Sequence, residues 1–403
     1  MNLINEIQPG KSRVPTLVVI DDEEYILSTL KSLFRKEGYQ MHFFSSPVLA
    51  LEFLRQHETN VLITDMRMPE MGGTELLEYS ADICPNAIRL IISGYEQKSV
   101  ILSAISRGLA RNYIMKPWDD EQLKTLVHES MELQQTMRQK HLQDLLLSFK
   151  NLPSPPQLHK KLKKILEKTP LPVKEITNEI EKSPALVAKL LRMSNSVCYS
   201  SYKNIKNVFD AISFVGTEEV LNIVLSLESF DSVCAQALPE VIHKTEDLRE
   251  KSILRAQIAR EISLRWNVKV DPEEAYVAGL MLDIGLMFRF CSSRDKFNKF
   301  FSIYNEGEKS MLLIDKEIYT ISHDEVGEAL LSYWNFSPEV ITAVGNHHRY
   351  ACNNPLTTIV QLADLIVQGK DSLPHDPCID GLAEEWKIKL TAVLEKIYNS
   401  QIS

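Results

Sequence analysis

Two sets of residues in this sequence have the types and spacing for chemistry. In the first third, Asp21 and Asp22 follow the apolar run TLVVI, Asp65 follows NVLIT, Ser93 follows IRLII, and Lys116 follows NYIM. Clustered carboxylates form the hard-oxygen environment that Mg²⁺ prefers. A lysine and a hydroxyl beside them stabilise charge on a transferring phosphoryl group. Singly, such residues are ordinary solubilising side chains; together, at the ends of successive apolar runs, they mark a site. In the last third, Asp283 in GLMLDIG, His323 in ISHDEVGEALLSYW, the pair His347-His348 in VGNHHRY and Asp364 in IVQLADLI offer imidazole and carboxylate donors. Iron, manganese and zinc take such ligands. Isolated histidines more often sit at helix ends or on satisfied surfaces, but the order and flanking residues lift these above that reading.

The elements that must position the first set are legible. TLVVI, QMHFF, NVLIT, IRLII and NYIM read as strands of a largely buried parallel sheet. Between them, EEYILSTLKSLFRKEG and KSVILSAISRG have helical spacing and stop at Gly38 and Gly108. Alternating strands and helices predict a doubly wound, five-stranded α/β domain whose ligands lie beyond the strand C-termini. From Asp119 to Lys150 there is no Gly or Pro, which predicts one long helix running on as a linker. Leu123, Leu126, Val127, Leu133, Leu142, Leu145 and Leu146 give it a partial apolar stripe. A homodimer through this helix is a second reading, weakened by the Gln/Arg-rich centre. The prolines of NLPSPPQL stop the helix and mark a boundary. Beyond it helical periodicity dominates, without a strict repeat. The expected organisation is a loose leader over 1–14, an α/β domain over 15–122, a linker helix over 123–150 and an all-α domain over 151–403.

Composition sets bounds on function. A chain of 403 residues with 44% hydrophobic and 25% charged residues suits two or three globular domains. Its net charge of −9 argues against broad nucleic-acid binding. The basic stretch HKKLKK reads as a solvated helix face, with no interleaved aromatics and no helix-turn-helix signature. The leader MNLINEIQPGKSRVP has no apolar core, and no run is long enough to span a bilayer. Six cysteines without a CxxC pair suit a reducing cytoplasm and argue against a cysteine zinc site.

Over about residues 15–130, VVIDDEE, LITDMRMPEMGG, LIISGYE and YIMKPW resemble the response-regulator receiver family. The resemblance implies that Asp65 accepts a phosphoryl group from a sensor histidine kinase. It implies that Asp21, Asp22, Asp65 and the backbone carbonyl of Arg67 hold Mg²⁺, and that Ser93 and Lys116 contact the phosphoryl oxygens. Tyr113 falls at the family's aromatic switch position, with an ordinary packed ring as an equal reading. Added charge at Asp65 would reorient Ser93 and Tyr113 and alter the face leading into the linker helix.

The second domain resembles the HDOD branch of the HD superfamily. LPSPPQLHKKLKKIL, ITNEIEKSPALVAKLLRMSNSVCYS and NVFDAISFVGTEEVLNIVLSL agree with it in order. Catalytic HD enzymes carry a histidine on the helix before their His-Asp pair, where LREKSILRAQIAREI offers Lys251 beside Ser252. Leu282 stands where the His of that pair would be. Leucine cannot coordinate a metal, and a protonated lysine is a poor ligand. The Gly-Tyr-Pro motif of cyclic-di-GMP phosphodiesterases is replaced by RYACNNPLTT. The expectation is therefore a two-component response regulator with Mg²⁺ in its receiver, signalling through a non-catalytic HDOD domain to an unidentified downstream protein. Asp283, His323, His347, His348 and Asp364 are then vestigial metal positions, with no transition metal expected. A metal-dependent cyclic-di-GMP phosphodiesterase is the first alternative, because AISRGLARNYIMKPWDDEQL resembles receivers fused to such hydrolases. A nucleic-acid-binding output is the second.

Overall fold

A computed structural model describes residues 14–94, 98–139, 142, 161–162, 164–165, 168, 172–198, 205–216, 220, 239–265, 269–292, 294–305, 311–319, 321–349 and 354–368. The leader to residue 13, the NLPSPPQL boundary, Leu145 and Leu146 lie outside the described residues. The chain forms two compact units, the first reaching Gln143 and the second carrying the helical remainder.

In the first unit, β1 (Thr16–Ile20), β2 (Gln40–Phe44), β3 (Val61–Asp65), β4 (Ile88–Ser93) and β5 (Asn112–Met115) alternate with helices. These are α1 (Glu24–Phe34), α2 (Pro47–Gln56), α3 (Gly73–Ile83), α4 (Lys98–Ser106) and α5 (Asp120–Gln139). The five strands pair in parallel in the order β2-β1-β3-β4-β5. β1, β3 and β4 are buried along their whole length, as the unbroken Val/Ile/Leu runs require of a sheet covered on both faces. Val18, Ile20, Leu51, Leu54, Leu62 and Leu76 close the core on one side. Each such side chain contributes roughly 1.5–3 kcal/mol on burial. Gly38 and Gly108, the expected stops, have φ of 76° and 77°, a conformation that suits glycine. The strand order reverses between β1 and β3, and the C-terminal ends of that pair are where such sheets bind ligands.

The helix that the sequence divides between domain and linker is one element to Gln139. Leu123, Leu126, Val127, Met131 and Met137 are buried, and α5 packs against α1, β3 and β4. Asn60 and Gln134 join by a 2.6 Å hydrogen bond. The apolar stripe on which the second, homodimer reading would rely is thus largely used within the first unit, with Leu133 half-buried.

The second unit is helical. α6 (Val173–Ile180), α7 (Pro184–Asn195) and α8 (Val208–Val215) pack together ahead of the long α9 (Pro239–Arg265). Then follow α10 (Pro272–Met281), α11 (Ile284–Ser292), α12 (Arg294–Asn305), α13 (Met311–Ile318), α14 (His323–Tyr333), α15 (Pro338–Gly345) and α16 (Pro355–Val367). α9 lies along α10 and α16, while α14 packs on α11 and α15. Two glycines allow the closest approaches. A Cβ on Gly279 would press on the backbone of Ala256, and one on Gly285 would collide with the His323 carbonyl oxygen. The GLMLDIG motif is therefore a packing signature as well as the carrier of Asp283. Leu282 is fully buried and serves the core.

Candidate functional site

In the first unit, β1 and β3 end side by side and present Asp21 and Asp65. Lys116, just after β5, places Nζ 2.9 Å from Asp21 Oδ2 and 2.9 Å from Asp65 Oδ1. Glu23, unremarked in the sequence, lies 3.3 Å from the same ammonium. The remaining carboxylate oxygens are oriented by backbone. Glu23 N–H donates to Asp21 Oδ1 at 2.9 Å, and Arg67 N–H to Asp65 Oδ2 at 2.6 Å. Burial pushes the Asp21 carboxyl up despite Lys116 beside it. The Lys116 ammonium is raised well above the ordinary lysine range, because its bonds to Asp21 and Asp65 outweigh the burial that alone would lower it. It is charged at neutral pH.

Asp22 is exposed beside this pocket. Ser93 is buried at the end of β4, in register with Met115, and its carbonyl accepts from Lys116 N–H at 2.8 Å. Tyr113 is buried on β5 opposite Ile91. The loop after Asp65 returns tightly: Gly73 N–H donates to Met66 O at 3.0 Å, and a Cβ on Gly73 would collide with the Asp65 carbonyl. The second glycine of LITDMRMPEMGG is fixed by that approach.

In the second unit the structure sorts the five candidate residues into two linked groups. His323 Nε2 lies 3.3 Å from His347 Nε2 and 3.0 Å from His348 Nε2. Asp283 Oδ1 is 3.6 Å from His323 Nε2 and 3.9 Å from His347 Nε2. Asp364 is elsewhere: Arg255 Nε donates to its Oδ1 at 2.8 Å, and Gln368 Nε2 donates to its Oδ2 at 2.5 Å. The same Arg255 reaches Asp283 Oδ2 at 2.8 Å. The residue that α9 aims at the site is therefore Arg255, one turn beyond the expected pair. Lys251 points to solvent and pairs with Asp247 at 3.0 Å, while the buried Ser252 hydroxyl donates to the Leu248 carbonyl.

Behind the histidines are partners the sequence reading missed. His323 donates through both its backbone N–H and its Nδ1–H to Asp315 Oδ2, the ring contact at 2.9 Å. Asp315 is fully buried and also pairs with Arg289. His347 Nδ1–H donates to the Val344 carbonyl at 2.6 Å. Burial holds all three histidines below their ordinary range. Asp283 is held well below the usual carboxylate range, since Arg255 and then the histidines outweigh the burial that would raise it. The one available signal for Arg255 and Asp315 was a lone charge within otherwise apolar helical spacing.

The chain thus carries an acidic pocket on a doubly wound sheet in one unit and a histidine cluster in a helical bundle in the other. The response regulator receiver domain model matches residues 17–128, and the HDOD domain model matches residues 152–350. The chain is a response regulator that joins a receiver domain to an HDOD domain. It is 31% identical over 117 residues to the transcriptional regulatory protein FixJ of Rhizobium meliloti, covering 29% of this chain and 55% of FixJ. It is 29% identical over 138 residues to the response regulator protein TmoT of Ectopseudomonas mendocina, covering 34% and 62% of the two chains. Across these relatives and the HoxA regulators, the chain spans 24% to 62% of the relative's length. Among solved structures, the MmoQ response regulator of Methylococcus capsulatus aligns at 21% identity and a TM-score of 0.46, over 56% of this chain and 89% of its own. Among the described residues, no helix is long and apolar enough to cross a membrane.

Proposed function

We propose that Asp65 is the phosphoacceptor of this response regulator and that a sensor histidine kinase is its donor. The observation that carries this reading is the Lys116 ammonium set 2.9 Å from both Asp21 and Asp65 at the β1/β3 ends. In the step, an Asp65 carboxylate oxygen attacks the phosphorus of the kinase phosphohistidine. The P–N bond breaks, its electron pair leaves with the imidazole, and an acyl phosphate remains on Asp65. Lys116 and the Ser93 hydroxyl stabilise charge on the phosphoryl oxygens. One ammonium against the carboxylates of Asp21, Asp65 and the adjacent Asp22 leaves negative charge in excess, which fits a hard divalent cation. Asp21, Asp22, Asp65 and the Arg67 carbonyl would hold Mg²⁺, which when bound shields the carboxylates from the incoming phosphoryl charge. Tyr113 and Ser93 then carry the change to the α4, β5 and α5 face.

Acetyl phosphate with Mg²⁺ is expected to add one phosphoryl group, seen by intact mass, and Asp65→Ala is expected to abolish the adduct. Continued labelling of that variant would show the assignment to be wrong.

The HDOD domain serves, in this reading, as a non-catalytic docking module for a downstream protein. Arg255 supports it: the guanidinium commits Asp283 Oδ2 and Asp364 Oδ1, two carboxylates that a two-metal hydrolytic centre would need. Turnover of cyclic-di-GMP by the phosphorylated or unphosphorylated full chain would overturn it. Six cysteines without a CxxC pair suit work in a reducing cytoplasm.

A further inference from the structure

We propose that the receiver domain carries a second binding site, for a small oxyanion, in the cleft at the N-terminal end of its sheet. The cleft holds about 370 Å³ between three parts of the domain. These are the end of α2 with the loop to β3 (residues 54–60), the α3–β4 loop (residues 83–87), and Gln134 and Arg138 of α5. Ligand pockets run roughly 300–1,000 Å³, so this one suits a small molecule. Asp65 ends β3 at its other extremity, so the cleft lies away from the acidic pocket. The site depends on neither the phosphoacceptor reading nor the docking reading of the HDOD domain.

The first argument is unmet hydrogen-bonding capacity in a buried wall. Thr59 is 6% exposed, and its Oγ1 has no hydrogen-bond partner among the described residues. Gln134 is 4% exposed, and its Oε1 accepts from Asn60 Nδ2 at 2.6 Å. Its Nε2 makes no hydrogen bond among the described residues. Asn60 is already committed, since its Oδ1 also takes the Thr16 N–H at 2.8 Å. Buried polar groups are ordinarily satisfied, so a hydroxyl and an amide N–H left over in one wall call for an acceptor between them.

The second argument is charge. Among the described lining residues, Arg55 and Arg138 are cations and Glu58 is the one acid. Arg138 Nη1 lies 3.2 Å from Glu58 Oε2, with both side chains more than half exposed. An exposed pair of this kind holds weakly, so the guanidinium can turn to an anion at little cost. α2 and α3 end at the cleft, and the roughly half-unit negative charge of each carbonyl end works against an anion. It is offset where it arises: His57 N–H donates to Phe53 O, Cys84 N–H donates to Ser80 O, and Arg55 stands in the last turn of α2. The two guanidiniums then set the sign of the cleft. The ligand class is a small carboxylate or phosphate, met by Thr59 and Gln134 at its buried end and by Arg55 and Arg138 at the rim. It would tie α5 to the loops before β3 and β4.

Calorimetric titration of the full-length protein in Mg²⁺-free buffer, with malonate and with inorganic phosphate, is expected to give a Kd below about 1 mM for at least one of them. Which anion binds decides between a carboxylate and a phosphate source. Malonamide, the neutral analogue, is expected not to bind. Arg138→Gln and Thr59→Val are each expected to weaken the Kd by about tenfold. Thr59→Val removes a hydroxyl without a partner, so it is expected to fold as the wild type does by circular dichroism. Glu58→Gln is expected to tighten binding about two- to fivefold, a gain that misfolding does not produce. Asp65→Ala is expected to bind as the wild type does, which separates the cleft from the acidic pocket. Binding of neither anion, equal binding of malonamide, or wild-type affinity in Arg138→Gln and Thr59→Val would each overturn the proposal. So would weaker binding by Glu58→Gln, or loss of binding in Asp65→Ala.

Discussion

Arg255 and Lys116 do similar jobs in different surroundings, and the difference sets what each contributes. Lys116 is 20% exposed at its side chain and bridges two carboxylates at the rim of the sheet, where water screens part of the interaction. Arg255 is 3% exposed and holds Asp283 and Asp364 inside the helical domain. Removing it strands two carboxylates in a place that cannot solvate them. Arg255→Met is therefore expected to lose about 3–5 kcal/mol of stability in urea unfolding. Adding Asp283→Asn and Asp364→Asn to it should recover much of that loss, since the stranded charges then disappear. A loss under about 1 kcal/mol for Arg255→Met would mean that the triad is not the internal tie its geometry describes.

At the scale of elements, short motifs prove to be the places where backbones touch. Gly285 lets the start of α11 rest on the first turn of α14, directly at His323. Gly285→Ala is expected to lower stability by about 1–3 kcal/mol, read as a lower Tm, because the new methyl must push α14 away. An unchanged Tm would show that the contact yields easily. The same helix begins with a capping box. Ser322 receives the Glu325 backbone N–H, and the Glu325 carboxylate returns to Ser322 N–H at 3.1 Å. Ser322→Ala should cost about 0.5–2 kcal/mol. It should also reduce amide-exchange protection most at the His323 end of α14 and least at its far end; a uniform loss along the helix would contradict that.

At the scale of the whole chain, the helical unit carries a pH dependence of its stability. The histidines of the helical unit are ordinarily protonated near 6.5, and burial lowers all three in the folded state. Below 6.5 the unfolded chain takes up protons that the folded one refuses. The stability is therefore present above that pH and is lost as pH falls from 6.5 toward the lowered values, at up to about 1.4 kcal/mol per pH unit for each histidine. Asp283 is also lowered, so its share is lost only as pH falls below the unfolded value of 3.8. The melting temperature of the helical unit in the full chain is expected to drop as pH is lowered from 7 to 5. A flat transition temperature across that window, followed by circular dichroism, would contradict the burial of these rings.

The sequence by itself determined the sheet and the acidic pocket. Strands buried on both faces must be continuous apolar runs, and ligand residues follow them at their ends, so Asp21, Asp65, Ser93 and Lys116 were each readable one run at a time. It also determined that the helical domain lacks the His of a His-Asp pair, since Leu282 is a fact of the chain. What only the tertiary structure decided is how the charges of the helical domain pair. Arg255 meets Asp283 and Asp364 across 28 and 109 residues, and Asp315 meets His323 from another helix. A helix of period 3.6 presents several faces, and one lone charge on an apolar face carries no mark of its partner. That is why Lys251 seemed to stand at the site while Arg255, one turn on, occupies it. Packing alone sets Asp364 against a guanidinium and turns His323, His347 and His348 to one point.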